Sequence, residues 1–290
     1  MRVDAHHHFW DPATADYPWM TEELAPIRRR FGPKELRPEL ERHRIDATVL
    51  VQTRSSEDET REFLALADAE PFVAGVVGWV DLTAPDVPDR LAALRAAPGG
   101  RHLVGIRHQV HDEPDPGWLD RTDVRRGLRA VSAAGLAYDL LVRTRELPTA
   151  LRTARARPEL RLVLDHCAKP PLRAGEDALA AWWRALEPLT REPNVTCKLS
   201  GLVTEASWPT DLTPVVRRVV EAFGHDRVLY GSDWPVCLLA ATYTEVIDLA
   251  ATTPTPGLFG PTATRVYELV HTPGWPTTAL ASRSTRMPRA

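Results

Sequence analysis

The sequence predicts a single-domain (β/α)8 barrel, and three observations carry that expectation. Eight short apolar runs rich in β-branched residues recur along the 290 residues, amphipathic stretches separate them, and no linker-like segment interrupts the alternation. Runs that are apolar on both faces suit strands covered on both sides, as in a parallel sheet. The competing architecture, an open doubly wound sheet, would normally show a glycine-rich turn after its first strand, and none follows residue 6.

Taken in order, strands are expected at residues 2–6, 48–52, 73–80, 103–107, 137–142, 161–166, 195–199 and 227–233. Helices are expected at 58–69, 87–97, 122–134, 145–157, 176–191 and 211–223. Asp86 supplies a start signal for the second of these, Thr122 with Asp123 for the third, and Thr213-Pro214 for the last. Residues 10–38, rich in Trp, Tyr and Pro, form a long first loop, which in this architecture lies over the barrel mouth. The barrel is expected to span 1–271, and 272–290 to form a loosely ordered C-terminal tail.

Composition narrows the function. With 43% hydrophobic and 26% charged residues the chain matches globular averages. A net charge near -3 gives no basic field for phosphates, which argues against nucleic-acid partners. No window approaches 18 uninterrupted apolar residues, and residues 1–6 hold no signal-peptide core, so a cytoplasmic protein without membrane association is expected; an oligomer stays open. Three widely spaced cysteines without a CxxC give neither a disulfide framework nor a zinc knuckle. Only Lys34, Lys169 and Lys198 among the 36 basic residues are lysines, which gives each of them a functional question to answer.

In a barrel of this kind the site lies at the carboxyl ends of the strands. Those ends carry His6 and His8, Gln52, Arg107 with His108, Asp139, His166 with Lys169, Lys198 with Ser200, and Asp233. Alternate residues of an extended chain share a face, so His6 and His8 point together into the barrel. Two imidazoles and a carboxylate suit zinc or manganese. Of the neighbours Asp165 and His166 only one can face inward on a strand, and His166 is the choice. Asp233, between Gly231 and Trp234, is costly at a buried strand end unless it is paired or ligated. Trp10, Trp19, Trp79 and Trp234 offer apolar faces to a ring, while Gln52, Arg107, Lys169 and Lys198 offer hydrogen-bond partners to its oxygens. The roles of His108, His111 and Asp139 stay open.

Val3-Asp4-Ala5-His6-His7-His8-Phe9-Trp10, Leu164-Asp165-His166-Cys167-Ala168-Lys169-Pro170, Lys198-Leu199-Ser200-Gly201 and Tyr230-Gly231-Ser232-Asp233-Trp234-Pro235 resemble the amidohydrolase superfamily, and within it the sugar-lactonase branch. The resemblance covers nearly the whole chain, to about residue 270. It implies a hydrolase that opens a small lactone, with His6, His8, His166 and Asp233 as metal or substrate-activating residues and with Asp233 and His166 as the catalytic pair. It implies one divalent ion, zinc first, and leaves a metal-free mechanism open. Arg107-His108 at the fourth strand end, and the lack of a histidine on the fifth, argue against two metals. The alternatives are a dicarboxylate-lactone hydrolase, which needs further arginines such as Arg143 or Arg173 at the mouth, and a metal-dependent decarboxylase.

Overall fold

The computed structural model describes residues 1–270. The expected tail at 272–290, together with His271, lies outside the described residues. One eight-stranded parallel sheet runs in chain order. β1 (Val3–His7) is followed by α1 (Pro33–His43), β2 (Ala47–Val51), α2 (Glu57–Ala69), β3 (Val73–Gly78), α3 (Val87–Ala96), β4 (Leu103–His108) and α4 (Thr122–Ala133). Then come β5 (Ala137–Leu140), α5 (Leu147–Ala156), β6 (Leu162–Leu164), α6 (Glu176–Leu186), β7 (Val195–Leu199), α7 (Leu202–Glu205), α8 (Thr213–Phe223), β8 (Val228–Tyr230), α9 (Tyr243–Ala251) and α10 (Pro261–Tyr267).

The barrel closes just beyond the last strand. His7 bridges Trp234 in parallel, the His8 amide donates to the Trp234 carbonyl at 2.7 Å, and the Asp233 amide donates to the His6 carbonyl at 2.8 Å. Inside the barrel, Val3, Ala5, Val49, Val51, Val163 and Leu229 form an inner cluster, joined by Ala263, Val266 and Tyr267 of α10. Neighbours of opposite phase, such as Leu50, Leu162, Leu164 and Val228, belong to the outer layer against the helices. This division is the period-two alternation of buried strands.

Two sequence expectations change, and one strand pairing is irregular. The loop expected at 10–38 ends at Gly32, because Pro33 opens α1 in the first helical turn, where proline loses no hydrogen bond. The sixth and eighth strands stop at Leu164 and Tyr230, short of the residues expected to end them. The cause is local: His166, Cys167, Ala168 and Lys169 have φ of 53°, 53°, 58° and 49°, and Asp233 has 56°, which no strand accommodates. Finally, the register of β1 against β2 breaks between Asp4 and His7. That irregularity lets Val3 and Ala5 face the inner cluster while His6 and His8, in the opposite phase, still turn toward the axis.

Candidate active site

The ends of β1, β6 and β8 converge. His6 Nε2 lies 3.1 Å from His8 Nε2 and 3.7 Å from Asp233 Oδ1, and His8 Nε2 lies 3.4 Å from Asp233 Oδ1. The rings of His6 and His166 are centred 4.5 Å apart. His8 is oriented from behind by the Val51 carbonyl, 2.8 Å from its Nδ1, and His166 by Ser200 Oγ, 2.9 Å from its Nδ1. Gly201 (φ 63°) makes room for that ring, since a Cβ there would stand 2.6 Å from His166 Nδ1.

The expectation that only one of Asp165 and His166 faces inward is overturned. Because the chain leaves β6 through the left-handed turn just described, both side chains enter the centre. Asp165 Oδ1 lies 3.4 Å from His6 Nδ1 and 2.9 Å from Lys198 Nζ, and Arg107 Nη1 donates to its Oδ2 at 3.0 Å. Lys198 also reaches Asp139 Oδ2 at 2.5 Å, and the Tyr267 hydroxyl donates to that carboxylate at 2.8 Å. A buried polar layer of Asp139, Lys198, Asp165, Arg107 and His6 therefore underlies the site.

This layer sets the charge states. Burial, reinforced by Lys198 and opposed by Asp165, holds His6 well below the usual imidazole range, and burial pushes His166 down to about 4, so both rings are neutral at pH 7. Burial alone would raise Asp165, but Lys198, His6 and Arg107 hold it well below the carboxylate range. Asp233 is likewise kept ionised, since His166, His8 and His6 outweigh its burial.

The donor set fits one divalent ion. Tetrahedral zinc with bonds of about 2.0–2.2 Å separates its ligand atoms by roughly 3.3–3.6 Å, and the His6, His8 and Asp233 atoms stand 3.1–3.7 Å apart. A second potential group, His6, Asp165 and His166, shares His6 and already faces two cations, Arg107 and Lys198. The arrangement thus suits one ion and disfavours a second by charge.

Above the polar layer opens a cavity of about 380 Å³. His8, His166, Arg107, Lys169 and Asp233 line it, as do Trp19 and Leu24 of the long first loop, with His111 and Arg143 after β4 and β5 and Thr204 and Glu205 of α7. Five residues placed at the substrate from sequence do not line it. Lys198 has no exposure and is consumed by its two carboxylates. Gln52 is buried, its carboxamide oxygen accepting from Arg107 Nε and Nη2 at 3.2 and 3.0 Å. Trp10 donates its indole N–H to the Ile27 carbonyl and packs on Phe31, and Trp234 packs on Phe9 and Phe31. Trp79 is likewise engaged, its indole N–H donating to His108 Nδ1 at 3.0 Å. Trp19 is the tryptophan on the cavity wall, and its buried indole N–H has no hydrogen-bond partner among the described residues. Sequence reasoning passed over Glu205, which gives no motif, and Asp165, whose acid next to histidine in Asp165-His166 was a signal in plain view.

A parallel (β/α)8 barrel carrying two histidines from the first strand end, with a third histidine and an aspartate converging on them, is a framework suited to a hydrolase. The amidohydrolase family model matches residues 3–269. The chain belongs to the amidohydrolase family. It is 44% identical over 245 residues to an L-fucono-1,5-lactonase of Burkholderia ambifaria, covering 83% of each chain. It is 40% identical over 289 residues to an L-fucono-1,5-lactonase of Burkholderia multivorans, covering 93% of this chain and 96% of the relative. An amidohydrolase structure from Burkholderia multivorans with bound zinc matches with a TM-score of 0.87 at 40% identity, covering 93% of this chain and all of that one. Among the described residues no helix is long and apolar enough to cross a membrane.

Proposed function

We propose that this protein hydrolyses the ring ester of a neutral sugar aldonolactone, with L-fucono-1,5-lactone as the first substrate to test. The carrying observation is Asp233: an ionised carboxylate on the wall of the cavity, within 3.4–3.7 Å of two imidazole nitrogens and facing the same space as Arg107 and His166. The names of the 44% and 40% identical relatives support the same substrate class.

Opening a lactone requires a water nucleophile, stabilisation of the carbonyl oxyanion and a proton for the departing alkoxide. Asp233 is placed to accept the proton from water. Its affinity for that proton is low, because the surrounding histidines favour its ionised form. His6, His8 and Asp233 would hold a divalent ion, zinc first, which when bound supplies Lewis acidity at the nucleophile and the carbonyl. Neutral His166, anchored on Ser200, offers Nε2 to the cavity, and the Arg107 guanidinium supplies fixed positive charge for the oxyanion. Asp165 holds Arg107 and His6 in place from beneath. The proton returning to the alkoxide comes from Asp233 after it has accepted one.

The upper cavity suits a sugar. Trp19 provides an aromatic face, while Leu24, Leu141 and Val236 give an apolar side for a deoxy-sugar methyl group. Acid release from a panel of aldonolactones, with and without chelator, tests the proposal. Ring opening of L-fucono-1,5-lactone that disappears in Asp233→Asn is the expected result; no turnover of any lactone, or loss of carbon dioxide from a carboxylated substrate instead, overturns it.

A further inference from the structure

One wall of the cavity is built from three successive strand-end loops. Arg143 follows β5, Lys169 ends the left-handed turn after β6, and Glu205 ends α7 after β7. Lys169 Nζ donates to Glu205 Oε1 at 2.8 Å, and Arg143 Nη1 stands 3.5 Å from Glu205 Oε2. One carboxylate thus answers two cations, and among the described residues neither cation has another acidic partner within ion-pair distance. Burial would raise Glu205, yet Lys169 and Arg143 hold it below the usual range. The segment is clamped: Arg173 donates to the carbonyls flanking Glu205, from Nη2 to Thr204 at 3.2 Å and from Nε to Ala206 at 2.9 Å.

The remaining charges of the cavity are already matched. Arg107 is bound to Asp165 and His111 faces Asp112, while Asp233 sits among histidines. A substrate entering this space meets hydroxyl-binding groups, and each cation it meets already faces a carboxylate, Lys169 and Arg143 sharing Glu205. A carboxylate on the substrate would have to displace Glu205 from both cations or lie against it, and like charges in a half-buried site repel strongly.

We propose that Glu205 is the specificity-determining residue that confines this site to neutral lactones and rejects lactones carrying a free carboxylate. The proposal rests on the lactonase reading and deepens it. The arginine and lysine that a dicarboxylate substrate would need are present on the wall, and Glu205 keeps them occupied. Removing its charge while keeping its shape should convert the wall into a carboxylate site, because two freed cations can make charge-assisted hydrogen bonds.

The test compares wild type, Glu205→Gln and Lys169→Gln. Each is assayed with a neutral aldonolactone and with an aldarolactone, the same ring bearing a free carboxylate. In Glu205→Gln the ratio of kcat/KM for aldarolactone over aldonolactone should rise by roughly 10- to 100-fold, mainly through KM. The gain should shrink with added salt and be largely lost in Glu205→Gln/Lys169→Gln. Lys169→Gln alone must move the ratio the other way, since it removes one of the two positive charges and leaves Arg143 alone against Glu205. Calorimetric binding of the open-chain aldarate reads the same wall without turnover, so it decides the role of Glu205 even if wild type opens no lactone and the lactonase reading falls. Melting curves confirm that each variant is folded. A selectivity ratio and aldarate affinity unchanged in folded Glu205→Gln, or a Lys169→Gln shift in the same direction as Glu205→Gln, overturns the proposal.

Discussion

Lys198 Nζ and Asp165 Oδ1 lie 2.9 Å apart with no solvent exposure on either side chain, at the ends of neighbouring strands. The ammonium also holds Asp139 and touches His6, so it is the counter-charge for a layer directly under the reacting groups. Replacing it with an apolar isostere, Lys198→Met, leaves buried Asp139 with only the Tyr267 hydroxyl and Asp165 with Arg107 as its remaining cation. The expected cost is about 3–5 kcal/mol in urea unfolding, and Asp139→Asn in the same chain should recover part of it. A loss below about 1 kcal/mol would show the layer to be dispensable for folding.

Asp233→Asn should separate chemistry from architecture. The residue has φ of 56°, and asparagine tolerates the left-handed region. Its backbone amide still donates to His6. Activity is expected to fall by on the order of 10²–10⁴ while the melting temperature stays within a few degrees of wild type. Turnover close to wild type would remove Asp233 from the mechanism.

The two tryptophans of the first loop should behave differently. Trp10 is buried and hydrogen-bonded to Ile27, so Trp10→Ala should destabilise by about 3–5 kcal/mol. Trp19 is half-buried on the cavity wall, so Trp19→Ala should act chiefly by raising KM with a smaller stability loss. Steady-state kinetics beside chemical denaturation of both variants distinguishes the roles; equal effects on stability would contradict the assignment.

Calorimetric titration of metal-stripped protein with zinc should give one ion per chain, lost in His8→Ala. The second cluster shares His6 and faces Arg107 and Lys198, which leaves no net negative field for another dication. Two tight ions per chain would require those cations to move away.

Acid should unfold the protein through its histidines. Burial pushes His7 down to about 3 and both His166 and His111 to about 4, and these side chains take up protons near 6.5 once unfolded. Between about 4 and 6.5 the unfolded state therefore binds more protons, so stability rises with pH and is lost as pH falls through this window. Each group contributes up to about 1.4 kcal/mol per pH unit. Asp4 and Asp139, raised to about 6 by burial, act in the opposite sense below that value, and the histidines outnumber them. Urea midpoints should be lower at pH 5 than at pH 7, and His7→Gln should flatten the difference. Midpoints that do not fall on acidification would refute this balance.

The barrel was legible because its strands are apolar on both faces, a pattern local to five or six residues. His6, His8, His166 and Asp233 were legible for a related reason, as polar residues interrupting apolar strand ends, and the structure brings them together. Less visible was where those strands stop. The left-handed turn from His166 to Lys169 contains no glycine, so nothing in its composition announces a conformation that turns two adjacent side chains inward. Lys198 and Gln52 sit at strand ends and look like ligand contacts, yet burial assigns them to Asp139, Asp165 and Arg107. α1 was hidden because prolines at 33 and 38 read as loop; Pro33 fits the first turn, whereas Pro38 lies inside the helix, where its missing N–H forgoes one backbone hydrogen bond. Glu205 depends on partners 36 and 62 residues away in sequence, a relation set only by the folded chain.

The seam where His7 meets Trp234 fixes when this enzyme can exist at all. The groups proposed to react lie far apart in sequence, residues 6 and 8 against residue 233, so they can meet only once the chain has been made through β8. A nascent fragment, or one cut back from its C-terminal third, retains the histidine pair yet lacks the acid that completes it. On the proposed mechanism such remnants should not open a lactone, and splitting the gene into separately expressed halves should restore turnover only when both halves reassemble across that junction.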